Sequence, residues 1–453
     1  MLTDIALVSA LLVLAQLLRA AIPPLSRYLI PSSMIAGLLA LALGPGGYDL
    51  LPFSRDASGA PLLLGYPGVL ITLLFATLLL GHRPRTARGA AMGNSSTSFL
   101  YNLASEVMQY GIVICLGVLL LAVVFVDLRP EFIVMLPAGF AGGHGTAALY
   151  ADALPGWEAA RSVGFTFATV GICCGVFGGL ALINLARRRG WIAVDHSSSA
   201  AAEARHGESF IPTSQQDSLG RATINGMALE TLTWHVALVL GIYGAAMALL
   251  PSLREWLPAR FVLPAFGVAM LLGWLVQGVS DRLRLGGQYI GEHIDAQVIG
   301  RIGGLCSDYL VAFGIASINV QIVLDYALPL AVFSLLGLAI CVGWLLLVAP
   351  RVFGKHWFEN AIFTYGWNTG TIAFGVALLR VADPRGKNRV LADYGMAFIA
   401  IGPLEALLYT FVLAALAAGY LLQAGIVLLL LASVLTGLAL YRARRAATTD
   451  LPR

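Results

Sequence analysis

Charged residues are scarce in this sequence. Asp, Glu, Lys and Arg make up 11% of its 453 residues, whereas hydrophobic residues make up 58% and the mean hydropathy is +0.83. An ordinary soluble domain is about one quarter charged. A soluble core cannot bury so much apolar surface, and apolar runs near the ~20 residues needed to cross a bilayer recur along the chain. The composition therefore excludes an ordinary soluble protein and predicts a membrane protein.

The sequence also lacks the features of several other protein classes. No long basic stripe accompanies the net charge of +4, so nucleic-acid binding is not expected. No Walker-type phosphate-binding loop occurs, which disfavours ATP-driven transport. No nucleophile and base stand together at membrane depth, and the longest polar stretch is too short for a catalytic domain. We therefore expect neither an enzyme nor a resident cofactor.

Cysteine is rare, and its placement excludes two further features. All five thiols lie within apolar runs, and none is spaced from histidine as zinc ligands are. We expect neither disulfides nor a metal site from Cys115, Cys173, Cys174, Cys306 and Cys341. The first residues lack a basic segment, and no small-residue cleavage site follows the first apolar run. We therefore predict a retained membrane span there, not a signal peptide.

Hydropathy predicts eleven membrane spans, arranged in two halves around a polar stretch. The first five are predicted at residues 5–22, 30–43, 68–80, 107–126 and 165–185. The next five are predicted at residues 229–250, 261–276, 303–320, 327–348 and 394–417, and a further span at 425–441 has no counterpart. The predicted division is a first repeat (1–186), a polar linker (187–225), a second repeat (226–420) and an extra C-terminal helix with a basic tail (421–453).

Two more apolar segments, at residues 131–154 and 359–381, are interrupted by glycine and polar residues. They occupy matching places in the two halves, and both contain Gly-Thr-x-Ala. Irregular backbone at membrane depth is tolerated only where it is buried in protein or lines a watery cavity. A matched pair of such segments is typical of the binding site of a secondary transporter.

Positive charge in the loops indicates how these segments enter the membrane, because cytoplasmic loops are rich in Lys and Arg. If both segments are re-entrant hairpins, all the basic loops fall on one side, whereas a full crossing of 131–154 places Arg187, Arg188 and Arg189 outside. The favoured fold is an all-α polytopic membrane protein with two inverted repeats. Each repeat has five transmembrane helices and one re-entrant hairpin, and the linker and the C-terminus are cytoplasmic. A broken full crossing at one or both sites is the alternative.

The first glycine-rich segment also carries a family resemblance. Gly142-Gly143-His144-Gly145-Thr146-Ala147, followed by the run Gly-Phe-Thr-Phe-Ala-Thr at 164–169, resembles the first signature region of the bacterial sodium/glutamate symporters. The resemblance implies inverted halves with glycine-rich re-entrant loops, sodium as the coupling ion, and a location in the bacterial inner membrane. It also implies homodimers with an elevator-like moving domain. The second loop departs from the family pattern, since Trp367 and Asn368 stand at its tip.

The hairpin tips supply the candidate substrate contacts. Free helix N-termini suit a carboxylate, and arginine binds a carboxylate bidentately. Thr146, Asn368, Thr369 and Thr371 offer oxygen atoms beside flexible glycine backbone, which could contact sodium or the substrate. The candidates are Gly143, His144, Gly145, Thr146, Asn368, Thr369, Gly370, Thr371 and Arg380. The alternatives are a packing role for His144, threonines that only satisfy freed backbone, and an arginine at the interface or paired with Asp383.

Polar residues inside the spans supply candidates for the sodium or polar path. They are Thr166, Thr169, Asp308, Asn319 and Glu405. A carboxylate at mid-membrane usually faces the protein interior and has a function, so Glu405 could bind a cation, accept an ammonium group or take a proton. Asn319 is assigned to the same span as Asp308. For Asp308 and Glu405, the alternative is a structural hydrogen bond. Glu106 and Glu230 are expected at span ends, at the interface.

These observations predict a sodium-coupled symporter that imports an anionic amino acid, L-glutamate, by alternating access. The alternative is a proton-linked or other organic-anion transporter, or a channel, with the same inverted repeats.

Overall fold

The fold was analysed in a computed structural model of the chain. It describes residues 2–28, 30–56, 59, 61–81, 90–154, 156–192, 210, 218, 220–256, 265–354, 357–383 and 390–449. The centre of the predicted linker and the last residues of the predicted basic tail lie outside these ranges, and the predicted domain boundaries stay predictions.

Helices account for nearly all regular structure in the described residues. In the first half they are α1 (Leu2–Ala21), α2 (Pro23–Arg27), α3 (Ser32–Leu43), α4 (Tyr66–Leu78), α5 (Ala90–Val123), α6 (Glu131–Phe140), α7 (Gly143–Asp152), α8 (Ala160–Cys173) and α9 (Gly179–Arg189). A π-helical turn, Cys174–Gly178, joins α8 to α9, and a 3-10 turn, Leu62–Gly65, precedes α4.

The second half repeats this helical character. Its helices are α10 (Thr231–Trp256), α11 (Ala265–Ser280), α12 (Ala296–Ala316), α13 (Val320–Asp325), α14 (Ala327–Leu347), α15 (Ala349–Phe353), α16 (Trp357–Asn368), α17 (Ile372–Ala382), α18 (Val390–Ala417) and α19 (Leu421–Thr449). A two-residue antiparallel ribbon pairs β1 (Arg284–Leu285) with β2 (Gln288–Tyr289), and the 3-10 turn Ile290–His293 follows it.

Eight helical stretches in the described residues are long and apolar enough to cross a bilayer, which confirms a polytopic α-helical membrane protein. Three of the predicted spans form shorter apolar helices instead, namely α3, α4 and α11. The helices α3 and α4, of 12 and 13 residues, rise roughly 18–20 Å at 1.5 Å per residue, which is less than a hydrocarbon core. The residues before α11, 257–264, lie outside the described ranges.

Two predicted span boundaries were wrong, and each error displaced a polar residue. The span predicted at 303–320 is α12, which ends at Ala316, so Asn319 lies beyond it and caps α13. The span predicted from residue 107 belongs to α5, which begins at Ala90. Glu106 therefore lies in the middle of a helix and is 1% exposed, not interfacial. Polar residues lower the hydropathy of a segment, but tertiary packing buries them here.

The interrupted segments each form two short helices joined by a turn. In the second pair, a Cβ atom added at Gly375 would meet the Phe363 carbonyl oxygen at 2.5 Å, and one added at Gly366 would meet the Gly375 nitrogen at 2.8 Å. These contacts show that α16 and α17 pack closely against each other. In the first pair, Gly164 of α8 packs between Met135 of α6 and Ala147 of α7. Their re-entrant course and the inverted repeat stay predictions.

The extra C-terminal helix α19 packs along α5. Gly111 of α5 lies against Leu429, and Gly425 lies against Ile114 and Cys115. Small residues let the two helices approach closely. The helix is therefore an integral part of the bundle.

The start of α12 is fixed by an ion pair and a helix cap. Asp295 accepts hydrogen bonds from the Gln297 and Val298 backbone and pairs with Arg221 at 2.9 Å. Burial would raise the pKa of Asp295, but Arg221 and the backbone N–H groups outweigh it and hold that pKa below its usual value. The His235 Nε2 atom accepts the Asp295 backbone N–H at 2.8 Å, which joins α12 to α10.

Candidate functional site

The tips of the two hairpins touch. Gly143 is the first residue of α7 and has φ +66°, a left-handed conformation that glycine adopts without strain. A Cβ atom added there would lie 3.3 Å from the Gly370 carbonyl oxygen and 3.5 Å from Thr371 Cγ2. The structure thus brings together two predicted tip regions that lie far apart in the sequence.

His144 is held in a packed environment and is 2% exposed. Its Nε2 atom lies 3.1 Å from Thr169 Oγ1, and the Thr169 hydroxyl donates to the Phe165 carbonyl oxygen at 2.8 Å. Because the single hydroxyl proton is used in that bond, Nε2 must donate to Thr169, which assigns the Nε2–H tautomer. The ring also lies against Gly314. This geometry favours a packing histidine over a substrate ligand.

Other tip and path threonines mainly satisfy nearby backbone. Thr369 is fully buried and donates to the Tyr365 carbonyl oxygen at 2.8 Å, and Thr166 donates to Ser162 in the same way at 2.6 Å. Thr146 is 2% exposed and packs against Gly142, while Gly145 packs against Ile71. These residues shape the tips, and their remaining lone pairs keep them available as acceptors.

Asn368 contacts a buried polar face of α5 that the sequence analysis missed. Its Nδ2 atom donates to Ser105 Oγ at 2.9 Å, and the Ser105 hydroxyl donates to the Asn102 carbonyl oxygen at 2.7 Å. Glu106 and Gln109 continue this face at helical spacing, and both are at most 1% exposed. The signal was present in the sequence as four polar residues at positions 102, 105, 106 and 109.

A cavity of about 780 Å³ opens beside the tip of the second hairpin. Thr371 and Phe374 form one side of it, α12 contributes Arg301 and Asp308, and α1 contributes Arg19. Ser32 and Ser33, at the start of α3, complete its polar lining together with Gln16, Gly300, Gly304, Ser307 and Tyr309. Neither arginine was among the predicted contacts.

Hydrogen bonds organise the polar wall of this cavity. Arg19 Nε donates to the Ile30 carbonyl oxygen at 2.9 Å, and Ser32 Oγ donates to Gln16 Oε1 at 2.6 Å. Asp308 interacts with the Ser33 hydroxyl. The charged side chains described in the lining are therefore two guanidinium groups and one carboxylate, set around a common space.

The α17 helix begins at this cavity. Its N-cap is Thr371, whose side chain makes no capping hydrogen bond. The first N–H groups of a helix have no partner within the helix, and they carry a partial positive charge. An anion in the cavity can use them together with the arginines.

The remaining predicted site residues lie elsewhere or are not described. Asn319 is exposed and accepts hydrogen bonds from Gln321 and Ile322, so it caps α13 and is not in the span of Asp308. Glu405 is buried in α18, away from the cavity lining. Arg380 belongs to α17, but its side chain lies outside the described part of the chain.

The fold and the site together define a polytopic α-helical membrane protein with paired hairpins beside a polar cavity, an arrangement that secondary transporters use. A model of the sodium/glutamate symporter family matches residues 70–377, which is more than half of the chain. The protein therefore belongs to the sodium/glutamate symporter family, a family of transporters and not of enzymes. A comparison with curated proteins gives no match.

Proposed function

We propose that this protein imports L-glutamate by sodium symport and alternating access, and that the cavity between α1, α3, α12 and the second hairpin binds the substrate. Family membership supports sodium and glutamate as the transported partners. The cavity supplies an independent physical reason for an acidic amino acid.

The charge of the cavity is the observation that carries the proposal. Glutamate at neutral pH has two carboxylates and one ammonium group. The described lining has two guanidinium groups, from Arg19 and Arg301, and one carboxylate, from Asp308. Arginine pairs with carboxylates in a planar, bidentate geometry, whereas an aspartate accepts the ammonium hydrogens. The substrate and the cavity are thus complementary group by group.

Contact between the hairpin tips supports the alternating-access part of the proposal. Thr371 lines the cavity and also meets Gly143 of the first hairpin. A displacement at the tip contact therefore moves Thr371 and changes the wall of the substrate site. We also propose that the two hairpins are re-entrant and that the two halves are inverted repeats. The protein is further proposed to be a homodimer in the inner membrane with a cytoplasmic linker.

The Arg301→Gln variant tests the proposed substrate site by calorimetry of glutamate binding to purified protein in sodium buffer. Loss of one charge-assisted pair is expected to weaken binding at least about tenfold. Arg282→Gln is the matched control, because Arg282 is exposed beyond α11 and donates to the Gly278 carbonyl oxygen. Equal affinities for the wild type and both variants would exclude this cavity as the glutamate site.

A further inference from the structure

Two carboxylates are buried in the helical bundle apart from the substrate cavity. Glu106 of α5 is 1% exposed and Glu405 of α18 is 6% exposed. Tyr409, one turn beyond Glu405 on α18, hydrogen-bonds to Glu106 of α5, so both acids lie where these two helices meet. Among the ion pairs between described residues, none includes either carboxylate. Uncompensated acids at membrane depth are costly, and their retention points to a bound partner.

Each carboxylate has an oxygen atom without a hydrogen-bond donor among the described residues. The Tyr409 hydroxyl donates to Glu106 Oε1 at 3.0 Å. Within the described part of the chain, no donor reaches Glu106 Oε2 or Glu405 Oε1. A buried carboxylate oxygen normally has a donor or a cation, so both atoms indicate that a donor or a cation belongs at this place.

Two neutral amides, Gln109 on α5 and Asn368 at the end of α16, have the same deficit. Gln109 lies one turn beyond Glu106 on α5, and its Nε2 atom faces the Asn368 carbonyl oxygen at 3.4 Å. Asn368 Nδ2 donates to Ser105 Oγ. Because Ser105 spends its own proton on Asn102, it must accept from Asn368, and this fixes the orientation of the Asn368 amide. Both amide oxygens, Gln109 Oε1 and Asn368 Oδ1, remain without donors among the described residues.

We propose that Glu106, Glu405, Gln109 and Asn368 form a sodium site between α5, α18 and the tip of the second hairpin. All four unpartnered atoms are oxygens, and hard cations take oxygen ligands. A sodium ion supplies the positive charge that the two carboxylates lack, which a water molecule does not. The inference rests on the proposed function and gives its coupling ion a place in the chain.

The site also explains how sodium binding affects the substrate cavity. Asn368 ends α16, and Thr371 of the cavity wall follows three residues later. Sodium bound to Asn368 orders the turn between them. An ordered turn presents Thr371 and the start of α17 to the glutamate carboxylate. Sodium and substrate therefore stabilise one conformation of the same tip, which is a positive coupling between two sites.

Equilibrium binding of ²²Na⁺ to purified protein, in the absence of glutamate, tests the site without any transport. Glu106→Gln and Glu405→Gln are each expected to weaken sodium binding at least about tenfold. Glu158→Gln is the matched control, since Glu158 is an exposed carboxylate, and it is expected to bind sodium as the wild type does. Gln109→Met keeps the side-chain length but removes the oxygen ligand, and a smaller loss is expected.

The outcomes separate this site from the proposed function. Unchanged sodium affinity in folded Glu106→Gln and Glu405→Gln proteins overturns the site. If either variant elutes as an aggregate, the sodium affinity of Gln109→Met is the test instead. A wild-type sodium affinity in that variant also overturns the proposed sodium site. If the variants lose sodium binding as expected but the wild-type protein transports no glutamate, the sodium site stands and the proposed function is overturned. If uptake by the wild-type protein requires sodium but no variant loses sodium affinity, the coupling sodium binds elsewhere in the protein.

Discussion

Replacing Gly143 with valine is expected to reduce sodium-driven glutamate uptake about a hundredfold or more, while the protein still inserts and purifies. The residue has φ +66°, and a Cβ atom there would lie 3.3 Å from the Gly370 carbonyl oxygen. The two valine methyl groups extend further and push the hairpin tips apart. Displacement of a binding group by about 1 Å is enough for losses of this size in enzyme sites. Uptake into proteoliposomes, normalised to reconstituted protein, measures the effect.

Gly190→Val separates the tip contact from backbone strain. Gly190 has φ +67°, nearly the same conformation, but no atom of the described residues would lie within 4 Å of an added Cβ. Both substitutions therefore impose a similar strain of about 1–3 kcal/mol. Only the one at the tip is expected to stop transport. Equal uptake by the two variants would show that the tip contact has no part in the cycle.

Replacing Asp308 with asparagine is expected to weaken glutamate binding roughly ten- to a hundredfold, because the variant loses the charged acceptor for the ammonium group. Glutarate has both carboxylates but no ammonium group, so its affinity is expected to change little. Competition of each compound against labelled glutamate measures both affinities. The expected signature is a loss of discrimination between the two compounds, not a general loss of binding.

Asp325→Asn is the control for this experiment. Asp325 is an exposed acid at the end of the neighbouring helix α13, where it accepts a hydrogen bond from Gln321. The Asp325→Asn variant is expected to keep the wild-type affinities for glutamate and glutarate. If Asp308→Asn weakens glutarate as much as glutamate, Asp308 maintains the shape of the cavity and does not recognise the ammonium group.

Local sequence patterns were sufficient for much of the fold. Apolar runs predicted the spanning helices because hydropathy is a property of short segments, and the glycine-rich segments marked both hairpins. Asp308 was noticed as a candidate for the sodium or polar path, since an acid within an apolar run is conspicuous, and its role stays a prediction. The contact between Gly143 and Gly370 was consistent with the matched placement of the two segments.

The residues that were missed depend on tertiary packing. Arg19 lies in the last turn of the first helix and resembles an ordinary interfacial residue, and Arg301 lies far along the chain. Only the packing of α1, α3 and α12 brings them to one cavity. The polar face of α5 lowered the local hydropathy, and the predicted span therefore began after Glu106. Hydropathy measures composition along the chain, whereas burial depends on which helices surround each face.

Uptake of radiolabelled L-glutamate into proteoliposomes, with and without an inward sodium gradient, tests the central claim most directly. The proposed function predicts saturable uptake that requires the gradient and disappears when an ionophore dissipates it. Saturable uptake of equal rate without sodium would contradict sodium coupling. No uptake by folded protein under either condition would contradict glutamate as the substrate.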